Sequence, residues 1–195
     1  LDKINSHSRQ SIHLLQNTVG EALASEIRKK TPSLTSLQVS VVRIDLNGYT
    51  QIFLEKKEEH IVSILNEYFE VTNDIINRYQ GEIYQIIGDE VIFIFKGHKS
   101  DPLVPELKAL FAVKSIFEWA KKLDKKVNDQ FGHRFLLKSS ISNGNLKFVK
   151  LNTGFAFAGV PLIESVRLLG CVSDKSENSL VVLEASYHHW DNFFQ

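Results

Sequence analysis

Residues 82–95 read Glu-Ile-Tyr-Gln-Ile-Ile-Gly-Asp-Glu-Val-Ile-Phe-Ile-Phe, two strand-forming runs joined by one Gly88-Asp89 turn. That pattern predicts a β-hairpin. It constrains the fold because it sits between two long amphipathic helix patterns. Residues 58–79 place Ile61, Ile64, Leu65, Tyr68, Phe69, Thr72, Ile75 and Ile76 on one helical face. Residues 105–127 do the same with Leu107, Leu110, Val113, Ile116, Ala120, Leu123 and Val127, and Gly132-His133 closes that helix. A valine-rich run, 37–44, precedes the first helix as a buried strand. Further strands are predicted over 134–141, 145–149 and 180–183, with a short helix over 161–169. The order strand, helix, two strands, helix, strand is the split βαβ, or ferredoxin-like, α+β arrangement (βαββαβ). Ahead of it, Ile12, Leu15, Val19, Leu23 and Ile27 predict an N-terminal helix, stopped by Thr31-Pro32-Ser33. The expected division is 1–33 as helix and linker and 34–195 as one domain.

Composition narrows the class of partner. The 195 residues carry a formal net charge of +0, which argues against nucleic acid as a partner. The pairs Lys121-Lys122 and Lys125-Lys126 are therefore expected to be a solvated helix face. The single cysteine, Cys171, excludes an internal disulfide framework and points to a reducing, cytoplasmic setting. It is expected to be a small buried hydrophobe. His188 and His189 are expected to serve the surface. No apolar run reaches membrane-spanning length. The chain begins with Leu, so upstream or downstream sensor domains are expected.

The chemistry-bearing residues are Asp45 and Asp89. Asp45 ends the valine run and is expected to open the turn Asp45-Leu46-Asn47-Gly48-Tyr49-Thr50. Asp89 lies at the hairpin turn. Two carboxylates at adjacent strand ends suit a hard divalent cation, and such a cation is commonly shared with substrate phosphates. Glu90 is expected on the opposite face, as a solvated charge.

Three segments carry a resemblance to a known family: Asp45 to Thr50, then Leu65-Asn66-Glu67-Tyr68-Phe69, then Gly81 to Asp89. Together they resemble the class III nucleotide cyclases over about residues 36–186. The resemblance implies conversion of a nucleoside triphosphate, ATP by default, to a 3′,5′-cyclic nucleotide and pyrophosphate. It implies two Mg²⁺ or Mn²⁺ ions per site, held by Asp45 and Asp89 with help from the Leu46 carbonyl. One ion would lower the pKa of the ribose 3′-hydroxyl and the other would neutralise the departing pyrophosphate. Backbone amides of Asn47, Gly48, Tyr49 and Thr50 would cradle the phosphates. Lys138 stands in place of a phosphate-binding arginine. Gln85 stands at a base-reading position, and Arg167 at that of the transition-state arginine. The family's sites form between two subunits, so a homodimer is implied.

The sequence departs from the family in three places. Ile163 replaces the asparagine that orients the ribose, and it cannot hydrogen-bond. Gln85 and Ala156 replace the lysine–aspartate pair that selects adenine. A terminal hairpin with a phosphate-binding lysine does not follow residues 180–186. These departures motivate a second reading, a degenerate cyclase homology domain that binds nucleotide or dimerises without turnover. Gly88-Asp89-Glu90 also resembles the turn motif of diguanylate cyclases, but Ile87 replaces its first glycine.

Overall fold

The computed structural model describes residues 36–47, 58–97, 104–151, 154–172, 177–184 and 186. The N-terminal helix expected before residue 33, the expected phosphate-cradle residues Gly48, Tyr49 and Thr50, and His188 and His189 lie outside the described residues. In chain order the elements are β1 (Ser36–Asn47), α1 (Glu58–Arg78), β2 (Gly81–Ile87), β3 (Glu90–Lys96), α2 (Pro105–Phe131), β4 (Leu136–Leu151), β5 (Gly154–Ala158), α3 (Val160–Leu169) and β6 (Ser179–Val182). The sheet order is β2-β3-β1-β4-β5, with β6 pairing β4 in parallel and all other pairs antiparallel. The first four strands with α1 and α2 form the βαββαβ core expected from the sequence. No helix among the described residues is long and apolar enough to cross a membrane.

Strand alternation sorts the side chains onto two faces. Val42, Ile44 and Leu46 of β1 join Val91, Phe93 and Phe95 of β3 under α1 and α2, in a large core. Tyr68 of α1 is wholly buried there, its ring against Trp119 and Phe135. Val39 and Val41 turn to the other face, with Ile92, Ile94 and Leu146, and Leu162 of α3 packs on them. Strong sheet coiling brings the two edges together over this smaller core: Tyr84 of β2 meets Phe157 of β5 edge to face at 5.8 Å.

Several boundaries differ from expectation. β1 runs on through Asp45, Leu46 and Asn47, which pair with Lys138, Leu137 and Leu136 of β4. The turn expected at Asp45 is not there: Asp45, Leu46 and Asn47 are strand. The two strands expected over 134–149 are one long strand, and it continues into a hairpin with β5, which the sequence reading missed. α2 extends four residues past Val127 to Phe131 and is capped at Gly132. Cys171 is exposed rather than buried, just past α3, with its thiol donating to the Arg167 carbonyl at 3.3 Å.

α3 enters against β4 at Gly159, where the chains approach too closely for a side chain. A Cβ there would lie 2.6 Å from the Asn145 carbonyl oxygen and 2.9 Å from the Leu146 side chain. The φ of 167° is ordinary extended backbone, so the constraint is space alone. Gly159→Ala is expected to cost about 1–3 kcal/mol through this overpacking. Urea unfolding checks it: an unchanged midpoint would show that α3 is not seated this tightly.

Candidate metal and nucleotide site

The register of β1 against β3 builds the site. Ile44 pairs with Val91, so the next residue along β1, Asp45, stands beside the β2–β3 turn. That turn needs a left-handed residue, supplied by Gly88 at φ +64°. Asp89 follows it and folds back toward β1, where its Oδ2 accepts a hydrogen bond from the Leu46 backbone N–H at 3.2 Å. The sheet thus brings together Asp45 of β1 and Asp89 of the β2–β3 turn, which are 44 residues apart in the chain (89 − 45).

The two carboxyl groups lie within hydrogen-bonding reach of each other. Burial, then the Asp45 charge, then that mutual hydrogen bond push the Asp89 pKa up to about 7. Backbone N–H groups of Asp89 and Leu46 oppose the rise. Across the other side of β1, Lys138 sits opposite Asp45 in register, and its Nζ lies 3.0 Å from Asp45 Oδ2. Below the site the Tyr68 phenol is held protonated, first by burial and then by Asp45, Asp89 and Glu90. Its hydroxyl has no hydrogen-bond partner among the described residues.

The other predicted residues fall as follows. Asn47 is nearly buried within β1, so its backbone belongs to the sheet rather than to a loop. Gln85 is exposed on edge strand β2, immediately after a register shift at Ile83/Gln85. Arg167 is exposed near the end of α3 and makes no ion pair among the described residues. Ile163 is 55% exposed on the same helix. Ala156 pairs with Val149 in the β4–β5 hairpin.

Glu90 is not a solvated charge. It pairs with the Arg43 guanidinium on the face covered by α3, and Arg43 Nε also donates to Ser165 Oγ of α3 at 3.0 Å. The sequence reading missed this trio. Its signal was a lone arginine inside an otherwise apolar strand, with an acid beside the turn of the neighbouring strand.

Among the described residues, no group of three or more His, Cys, Asp and Glu side chains forms a metal cluster. The donor set that exists still fits a hard cation. It consists of oxygen atoms only, and its two carboxylates repel each other in a partly buried position that a divalent ion would relieve.

No protein-family model matches the chain. An uncharacterised protein of Mycobacterium tuberculosis is 31% identical over 100 residues, covering 50% of this chain and 18% of that protein. Another from the same organism is 25% identical over 173 residues, covering 88% of this chain and 31% of that protein. The chain thus spans less than a third of the length of these relatives. Among solved structures, the adenylyl cyclase CyaB from P. aeruginosa superposes with a TM-score of 0.69 at 17% identity, covering 82% of this chain and 83% of that one. A bacterial light-regulated adenylyl cyclase gives 0.68 at 17%, covering 80% and 81%, and the guanylyl cyclase Cya2 gives 0.65 at 14%, covering 80% and 79%. The chain has the fold of a class III cyclase catalytic domain. At these identities the likeness is one of fold.

The raised Asp89 pKa sets a pH dependence. Its folded value, about 7, lies above the ordinary carboxylate range, so the folded state holds a proton that the unfolded state has released. Without a divalent ion, stability from this group is present at acid pH and is lost as pH rises toward 7. Ion binding must expel that proton, so affinity for Mn²⁺ is expected to rise about tenfold per pH unit up to about pH 7 and then level. Calorimetric titration between pH 5 and 9 checks this, and a flat profile would refute it. In Asp89→Asn the apo stability loss should vanish.

Proposed function

We propose that the domain is a nucleotide cyclase, converting a nucleoside triphosphate, ATP by default, to a 3′,5′-cyclic nucleotide and pyrophosphate as a homodimer. The observation that carries this reading is the Asp45–Asp89 carboxyl pair at the sheet rim of a cyclase-type fold. Asp45 and Asp89 hold two Mg²⁺ or Mn²⁺ ions, with the Leu46 carbonyl as a further oxygen donor. When bound, the ions supply Lewis acidity at the attacking ribose hydroxyl and neutralise the leaving pyrophosphate.

The chain's own groups do the rest. Backbone amides of Gly48, Tyr49 and Thr50 bind and orient the phosphates; Asn47, held in β1, borders them. Lys138 exchanges its Asp45 partner for a phosphate oxygen. Gln85 offers an amide to the base edge, carrying both a donor and an acceptor. Arg167 of the partner subunit stabilises charge in the transition state. Homodimerisation is supported by the outward face of α3, where Val160, Ile163 and Val166 are 61%, 55% and 51% exposed in a helical stripe.

That stripe also favours a second reading, because Ile163 puts an alkyl side chain where the family orients ribose. In this reading the domain binds nucleotide or dimerises without turnover.

Incubation with each of ATP, GTP, CTP and UTP and Mn²⁺, followed by chromatography, separates the two. A cyclic product is expected from at least one triphosphate, falling at least about 100-fold in Asp45→Ala. Nucleotide binding in calorimetry with no cyclic product from any of the four would establish the second reading instead.

A further inference from the structure

Arg43 is the charged residue within the apolar stretch of β1, and its guanidinium is occupied twice. Nη1 pairs with the Glu90 carboxylate, and Nε donates to Ser165 Oγ at 3.0 Å. Glu90 directly follows Asp89, in the pair with Ile87 that closes the hairpin turn. Ser165 is fully buried in α3, two residues before Arg167. It is itself pinned: its Oγ donates to the Leu162 carbonyl at 3.0 Å, and its carbonyl accepts from Ser140 Oγ at 2.7 Å. The Arg43 and Glu90 side chains keep only 11% and 20% of their exposure.

An ion pair so withdrawn from water gives little net stability, because desolvation offsets most of the attraction. Its stronger consequence is geometric. A planar guanidinium with fixed donor directions sets the distance between the two groups that it binds. Here those groups belong to the turn of Asp89 and to the helix of Arg167.

We propose that Arg43 is a positioning residue that ties the Asp89 turn to α3, so that the two shift together. The roles of Asp89 and Arg167 rest on the cyclase reading; the link itself rests on the hydrogen bonds. In a homodimer whose sites each take carboxylates from one subunit and the arginine from the other, one chain's Asp89 and Arg167 serve different sites. Arg43 then couples occupancy of one site to the geometry of its twin.

The test cuts the link at each end. Ser165→Ala touches neither acid, and Glu90→Gln leaves α3 intact. Amide exchange, read by mass spectrometry on peptides covering 86–91 and 160–169, needs no ligand. Ser165→Ala is expected to speed exchange in 86–91 as well as in 160–169, and Glu90→Gln to speed exchange in 160–169, each by about tenfold. Arg43→Lys should reproduce both effects, since one ammonium cannot hold the same fork. If Arg43→Lys does not fold, the two end substitutions still decide. Changes confined to the element that carries each substitution would overturn the proposal.

A parallel Mn²⁺ titration reads the functional consequence. Ser165→Ala should weaken binding by about tenfold, while its unfolding transition stays single. Unchanged Mn²⁺ affinity in Ser165→Ala, where Asp45→Ala abolishes binding, counts against the positioning role. If Asp45→Ala itself leaves Mn²⁺ binding intact, the metal reading fails, and the exchange measurements still decide the Arg43 link.

Discussion

Antiparallel pairing of β1 with β3 forces Asp45 against the Gly88-Asp89 turn, and the electrostatics of the site follow from that register. Two carboxylates at hydrogen-bonding range in a partly buried position repel strongly, because the low local dielectric magnifies the interaction. The fold tolerates the pair through three offsets: the Leu46 N–H on Asp89, the Lys138 ammonium on Asp45, and a proton retained near neutrality. In the proposed reading, a divalent cation would replace both the proton and the repulsion.

The two faces of the sheet are held by different physics. Under α1 and α2 the core is broad and apolar, apart from the Tyr68 and Thr72 hydroxyls that lack partners among the described residues. Under α3 the apolar cluster is small, and directional bonds carry much of the attachment. Ser140 bonds the Ser165 carbonyl, Ser142 bonds Glu164, and Arg43 bonds Ser165. Such bonds fix position more sharply than apolar burial does, since hydrophobic contact is non-directional. The helix held this way is the one whose apolar stripe faces outward.

The hairpin and both long helices were legible because their periodicities are strong and local. That the two acids meet was legible as well, from the valine run that leads into Asp45 and the turn that carries Asp89, although β1 does not end at Asp45. What stayed hidden depends on partners distant in sequence. Ser142-Asn143-Gly144 reads as a break, yet β4 runs through it because β1 pairs along its full twelve residues and outweighs the local turn formers. The same pairing keeps Asp45, Leu46 and Asn47 extended. β5, Gly-Phe-Ala-Phe-Ala, has weak strand propensity and exists through its hairpin with β4 and the Phe157–Tyr84 contact. Alternation gave the face of Glu90 correctly, but not the arginine waiting there on another strand.

Lys138 shows how the departures from the family pattern can be chemically coherent. A lysine in register with Asp45 neutralises that acid while no cation is present, as an ammonium at 3.0 Å must. In the proposed reading, a divalent ion on Asp45 would repel this ammonium, and a metal-bound triphosphate would bring an anion within its reach. Ion and phosphate binding would then reinforce each other through one side chain, whereas an arginine with a fixed fork would be less free to change partners. On that reading the carboxylate pair, the proton on Asp89 and Lys138 would act as one exchangeable set of charges.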